Sequence, residues 1–499
     1  MYENMIDNKQ FIISKIKCEW SEWKSLDLIN GYILNYHQNL RIVHNNDNSV
    51  VLLGYAWQIV SNLMSPDQYV LSSSISVDNV YDIEHTWCGR YVLIMSNKVY
   101  LDATGLLGVF YDFKNEVISS SIHVMNRLLR KDDKYPKIYH SILPDFVPGR
   151  LTVHSEYFRL LPSQVLNYCE KSILLRPLCK NQGADDICEQ DRDEKFINLY
   201  TTSLHNMANL FKDYRIKHAI TGGHDSRTTL AFLEHAGIDY SLFTLEYPEI
   251  SYADRVIPLE VSNVVGKRLQ FINRKYNKFS LKNYLEYKKH CSGMAVDQDW
   301  LFYSFKQYQE LTEEGEKVLI IRSSIWECVI EYFEKYVDEN EDIDEKSIKK
   351  FFRGNNYIQL LNDSTNDWFN MIKSDKINNL SIANRILWEL RSGCWLSSIE
   401  QSLDIIENIE FIQPTNCREF LSILLSYDRS QRIEKVHQDN MVAKITLQLA
   451  LVPFEVHNDS NKQNSHRIII VFLKFLKLFW CLSHMGIKST YDYMLKKKK

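Results

Sequence analysis

One stretch limits the folds open to this chain: KHAIT, then GGHD, then SRTTLAFLEHAG, residues 217–237. The first piece is short and apolar, the length of a buried strand. The last has helical periodicity and ends at Gly237, a residue type that closes helices. Between them stand Gly222 and Gly223, in a chain where only 16 of 499 residues are glycine, so the pair is unlikely to be filler. Further alternation follows in YSLFTLEY, a helical stretch ending near Gly266, RLQFIN and KVLIIRS. This order predicts a parallel sheet covered by helices on both faces. In such sheets ligands bind beyond the carboxyl ends of the strands, which is where the glycine pair falls.

A turn without side chains lets backbone N–H groups approach a phosphate, and the helix N-terminus behind it adds partial positive charge. Asp225 offers a carboxylate for a magnesium ion and Ser226 a hydroxyl for a phosphate oxygen. The plainer alternative is a tight turn capped by Asp225 or Ser226 with no ligand. The stretch has neither the Walker pattern nor the dinucleotide pattern of glycines. His224 reads as a loop residue rather than a catalyst.

Upstream of this unit the chain reads as mostly β. SVVLLGYAWQIV, CGRYVLIMSNKVYLDATG, LGVFYDF and NEVISSSI are short apolar or alternating runs broken by Gly, Asn and Asp. KNQGADDICEQDRDE, residues 180–194, is polar and reads as a linker or exposed loop. From residue 195 the periodicity is helical, and after residue 380 the chain reads as nearly all helix. A net charge of -4 without a basic stripe argues against a nucleic-acid partner. Ten scattered cysteines, with no C-x-x-C pair and no secretion signal, fit a reducing cytoplasm. RIIIVFLKFLKLFWCLSHMG near the end reads as a packed terminal helix. The alternative is an interfacial helix that makes peripheral contact with anionic lipid.

These residues also carry a resemblance. ITGGHDSR resembles the S-G-G-x-D-S loop of the ATP-pyrophosphatase superfamily, and within it the chain is most similar to the asparagine synthetase family. Relatives there include β-lactam synthetases and lasso-peptide cyclases. YSLFTLEY resembles the family's next strand, whose backbone near Leu245 would hold adenine. Asp254 matches an acidic position, and LIIRSSIWECVIEYF resembles the second loop, with Glu327 and Tyr332 on matching positions. QPTNCREFLSILLS resembles a late helix entry. CGRYVLIMSNKVYLDATGLLGVFYDF and PGRLTVHSEYFRLLPSQVLNY resemble strands of the glutaminase-like domain.

The fold class this implies is α+β and α/β in two domains. Residues 1–180 form a β-rich sandwich of the glutaminase-like (Ntn) type, and 181–194 a linker. Residues 195–460 form a parallel-sheet, adenine nucleotide α-hydrolase-like ATP-pyrophosphatase domain with a helical extension, and 461–499 a tail with a basic end.

The implied cofactors are ATP and magnesium. Thr221, Gly222, Gly223, Asp225, Ser226, Arg227 and Leu245 would contact the nucleotide, and Asp225 and Glu327 the metal. Asp225, Glu327, Tyr332 and Lys444 would serve catalysis. Arg418 and Arg432 stand as either phosphate contacts or surface charges. WELRSGCW, with Trp388, Arg391 and Trp395, reads as core packing with one paired arginine.

Two departures matter. A working glutaminase of this family needs cysteine at position 2, and this chain has Tyr2, so glutamine hydrolysis is not expected. The second loop has no glycine, and Trp326 replaces an acid. The implied function is an AMP-forming amide ligase that joins a small-molecule or peptide carboxylate to ammonia or an amine. The alternatives are an inactive nucleotide-binding or scaffold relative and, more remotely, an enzyme modifying RNA. Oligomeric state is left open.

Overall fold

The computed structural model describes residues 7–131, 147–178, 189–246, 250–273, 304, 307–313, 315–330, 359–375, 377 and 380–454. Strands β1 (Phe11–Ser14), β2 (Trp23–Asp27) and β3 (Ile33–His37) open one sheet, and β4 (Ile42–His44), β5 (Val50–Gln58), β6 (Trp87–Met95) and β7 (Lys98–Leu101) a second. Strands β8 (Phe110–Asp112), β9 (Val117–Ser119) and β10 (Phe158–Arg159) return to the first, while β11 (Gln164–Asn167) and β12 (Ser172–Leu175) complete the second. Each sheet has six strands, ordered β10-β8-β9-β1-β3-β2 and β12-β11-β7-β6-β5-β4.

The two long strands β5 and β6 are buried almost throughout because both their faces are covered. Phe11, Ile13 and Leu34 of the first sheet meet Val51, Leu53, Val92 and Ile94 of the second in a shared core. The alternate residues of β5 and β6, among them Val50, Leu52 and Leu93, pack outward on Val70 of helix α1 (Pro66–Leu71) and Val80 of helix α2 (Val80–Glu84). Ile12 and Val117 of the first sheet pack outward on Ile122 and Met125 of helix α3 (Ile122–Leu129). The result is a two-sheet antiparallel sandwich flanked by short helices.

Helix α4 (Glu189–Leu210) opens the second half inside the stretch expected to be a linker. Strand β13 (Arg215–Ala219) precedes helix α5 (His224–His235), and β14 (Ser241–Glu246) precedes helix α6 (Tyr252–Val264). Strands β15 (Leu269–Asn273), β16 (Val318–Ile321) and β17 (Ile409–Ile412) follow. All five are parallel, in the order β15-β14-β13-β16-β17. Leu319 and Ile321 face α4 and α5, while Val318 and Ile320 face the helical region around Ile399 and Leu403. The parallel sheet covered on both faces is therefore as the alternation predicts. Strand β17 is the exception, because IEFI is too short to stand out in a helical stretch and is fixed as a strand by pairing with β16.

The two halves share one buried seam. Arg90 of β6 forms a two-pronged pair with Asp404, at 2.6 and 2.7 Å, with both groups buried. Arg159 of β10 donates to the carbonyls of Gly393 and Cys394 at 3.3 and 3.2 Å and to Ser398 Oγ at 3.1 Å. Those carbonyls lie in a wide π-helix, Ile386–Leu396. A Cβ on Gly393 would lie 2.8 Å from Pro162, so only glycine lets this helix approach the sandwich so closely. Trp388 Nε1 reaches the Ala103 carbonyl at 2.7 Å. Cys88 and Cys417 face one another across the seam in an isolated antiparallel bridge, and both are free thiols with no exposure. No helix among the described residues is long and apolar enough to cross a membrane.

Removing one partner of a buried ion pair leaves the other charge without compensation. Arg90→Met is expected to lower stability by about 3–5 kcal/mol, read by urea unfolding. Adding Asp404→Leu should restore much of the loss; a double variant no more stable than the single one would contradict the pairing.

Candidate functional site

The switch in strand order lies between β13 and β16, where connections leave the sheet in opposite directions. The glycine turn follows β13 at that point. Gly222 is buried, and a Cβ there would come within 3.3 Å of the Ala253 backbone and Ile257 of α6. Gly223 is different: an added Cβ would meet only Thr221 Oγ1, at 3.5 Å. One glycine therefore serves packing, and the other leaves open space over the turn.

The turn is braced from within. Gly222 N–H donates to Asp254 Oδ1 at 2.7 Å, and Thr221 N–H donates to Ser226 Oγ at 3.2 Å. Gly223 N–H reaches Thr221 Oγ1 at 3.3 Å. Among the described residues no side chain caps the N-terminus of α5, and its first-turn amides lie at the positive end of the helix dipole.

His218 lies under the turn between its supporting elements. Its Nδ1 is 3.3 Å from the Ile321 carbonyl of β16 and its Nε2 is 2.9 Å from the Ser226 carbonyl of α5, and a neutral ring donates to one of the two. Burial pushes its pKa down to about 4, against the two carbonyls that favour the charged ring. The ring is therefore neutral near pH 7.

Asp225 stands in the first turn of α5, half-buried. Lys435 Nζ and Gln438 Nε2 both approach its Oδ1, at 3.3 and 3.2 Å. Its Oδ2 has no hydrogen-bond partner among the described residues. Lys435 and Gln438 come from a helix packed along α5 (Val436–Ile445) and from the residue before it. No local pattern marks them in the sequence, because tertiary packing alone brings them to Asp225.

The other expected residues have separate places. Lys444 sits on Asp193 of α4 at 2.6 Å, away from Asp225. Arg227, expected on the cofactor, is fully buried and donates to the Val452 carbonyl and, at 2.9 Å, to the Pro453 carbonyl. Its guanidinium lies 3.8 Å from the centre of the Phe454 ring, and His224 stacks on the same ring at 3.6 Å. Leu245 lies at the carboxyl end of β14, in register with Ile272. Arg418 is buried on the carbonyls of Pro162 and Pro177, and Arg432 on those of Tyr427 and Val329. Neither is a surface charge. Tyr332 lies outside the described residues.

The second loop is a short 3-10 helix, Ser324–Val329, after β16. Trp326 is fully buried among Phe196, Tyr200 and Phe232, and its Nε1 donates to Thr229 Oγ1 of α5 at 3.1 Å. Glu327 points the other way and accepts from Arg391 Nε at 3.0 Å. The Arg391 guanidinium stacks on Trp395, 3.4 Å from the ring centre. Trp388 is core, as expected, but Arg391 and Trp395 are only partly buried. Among the described residues no three His, Cys, Asp or Glu side chains gather as a preformed metal cage.

No family model matches the chain, and no curated protein matches it. Among solved structures it is similar to an NMN synthetase from Francisella tularensis, with 11% identity, 41% of this chain and 93% of that chain covered, and a TM-score of 0.21. It is also similar to an NAD+ synthetase from Burkholderia pseudomallei, with 12% identity, 50% of this chain and 91% of that chain covered, and a TM-score of 0.17. These likenesses are slight and partial, neither is to an asparagine synthetase, and they carry no functional argument.

Gly222→Ala is expected to lower stability by about 1–3 kcal/mol through overpacking, and Gly223→Ala by no more than about 0.5 kcal/mol; urea unfolding of both variants checks the contrast. For His218, the folded pKa lies below the ordinary 6.5, so its stabilising contribution is full above pH 6.5 and declines as pH falls toward 4. That contribution is about 3 kcal/mol. His218→Gln should show a shallower loss of stability between pH 7 and pH 4 than the parent; equal slopes would contradict the assignment.

Proposed function

We propose that the chain is an asparagine synthetase-like ligase that uses ATP to adenylate a carboxylate and passes the acyl group to ammonia or an amine. The observation that carries this reading is the glycine turn at the switch point of a β15-β14-β13-β16-β17 sheet, with open space over Gly223 and an uncapped helix behind it. The first-turn amides of α5, uncapped among the described residues, suit a triphosphate. Thr221, Gly223, Asp225 and Ser226 line the turn, and the backbone near Leu245 borders the neighbouring strand end.

Magnesium, when bound with the nucleotide, would neutralise phosphate charge and draw electrons from the α-phosphorus. Asp225 fits this role through Oδ2, because a magnesium ion commonly takes one or two protein carboxylates and completes its shell with phosphate and water. Glu327 fits less well, since Arg391 already claims it. The substrate carboxylate attacks the α-phosphorus, pyrophosphate leaves, and the amine then displaces AMP from the mixed anhydride. Lys435, next to Asp225, replaces Lys444 in this reading as the cation that steadies the departing pyrophosphate. Preorganised charge of this kind is the main source of rate in such transfers.

The sandwich acts here as a glutaminase-like scaffold without glutaminase chemistry. The residues leading into β1 support this. Asn8 donates to the Asp404 carbonyl, Lys9 donates to the Ile409 carbonyl and pairs with Glu410, and both are buried in the seam. No thiol stands among them. A second reading, an inactive nucleotide-binding scaffold, is favoured by Trp326 alone, which fills the second loop with an aromatic core residue.

Pyrophosphate release from magnesium-ATP across a panel of carboxylates and amines separates the two readings. The ligase reading expects turnover that falls about 10²- to 10³-fold in Asp225→Ala, with no glutamate formed from glutamine. ATP binding without release across the panel would leave only the scaffold.

A further inference from the structure

The π-helix holds a feature that the turn chemistry does not use. The Arg391 guanidinium carbon lies over the Trp395 ring, 3.4 Å from its centre, and its Nε is committed to Glu327 at 3.0 Å. Its side chain is 30% exposed, and neither terminal nitrogen meets a hydrogen-bond partner among the described residues. A guanidinium fixed at one edge and one face, with its opposite fork open among the described residues, is preorganised for a planar oxyanion.

The surroundings point toward the proposed site. Glu327 belongs to the loop that continues β16, at the switch point. Two side chains of that loop, Ser323 and Trp326, are bonded to Thr229 of α5, the helix that carries Asp225. On the far side, Arg159 of the sandwich takes carbonyls from the π-helix two and three residues beyond Arg391. The π-helix that carries Arg391 is thus anchored to both halves of the molecule.

We infer that Arg391, seated on Trp395 and aligned by Glu327, is a binding residue for a carboxylate group of the acceptor or donor substrate. That the ligand is a substrate rests on the ligase reading; that the fork binds a carboxylate does not.

The test uses the full chain without nucleotide, so absence of pyrophosphate release in the ligase assay leaves it untouched. Succinate is titrated against tryptophan emission and by calorimetry, with neutral succinamide as the control at equal ionic strength. A saturable response to succinate and none to succinamide is expected. Arg391→Lys keeps the charge but loses the fork, and should bind about 10- to 100-fold more weakly. Trp395→Phe should remove the emission change and weaken calorimetric binding only about 2- to 5-fold. Thermal unfolding of each variant confirms that it is folded. Equal succinate binding by folded Arg391→Ala, no saturable response in the parent protein, or equally tight binding of sulfate would each overturn the assignment.

Discussion

A guanidinium buried between two domains can be satisfied in few arrangements, and this chain places three of them along one seam. Arg90 requires both oxygens of Asp404, Arg159 requires carbonyls of the π-helix, and Arg418 requires carbonyls at the two ends of the β11–β12 segment. Burial works against the charge on Arg159 and Arg418, so each is held only while its oxygens stay in place. Sliding the sandwich over the parallel sheet would leave all three uncompensated. The orientation of the domains is therefore fixed by polar geometry as much as by apolar area.

That seam also explains the shape of the second loop's surroundings. The Gly393 and Cys394 carbonyls of the π-helix face the sandwich and accept from Arg159, and Cys394 also accepts from Ser397 N–H and Ser398 Oγ–H. The wider helix carries Arg391 to Glu327 and Ser392 to Cys328. The loop itself, without glycine, is anchored by Trp326 in an aromatic cluster. Where an open loop would offer amides, this one offers a fixed wall.

What could be read from the sequence divides along physical lines. Strand β13, the turn and α5 were legible because their signals are local: an apolar run, two glycines, a helical period and a closing glycine. The sandwich was legible as β for the same reason. Strand β17 was not, since four residues become a strand only when β16 supplies the ladder. Lys435 could not be found, because its meeting with Asp225 depends on how two helices pack. The partners of Arg227 are not legible, because the sequence does not show that the chain returns over α5 at Val452–Phe454. The doubled glycine was read as one device, and it is two: Gly222 answers to α6, and Gly223 leaves space.

Cys88 and Cys417 face each other in the seam with no exposure, and each gives its S–H to a carbonyl, Pro414 and His85 respectively. Burial raises both thiols, so in the closed protein they are poor nucleophiles. An alkylating reagent can reach them only during excursions that part the domains. Their labelling rate is therefore a built-in clock, counting how often the two halves of the molecule separate.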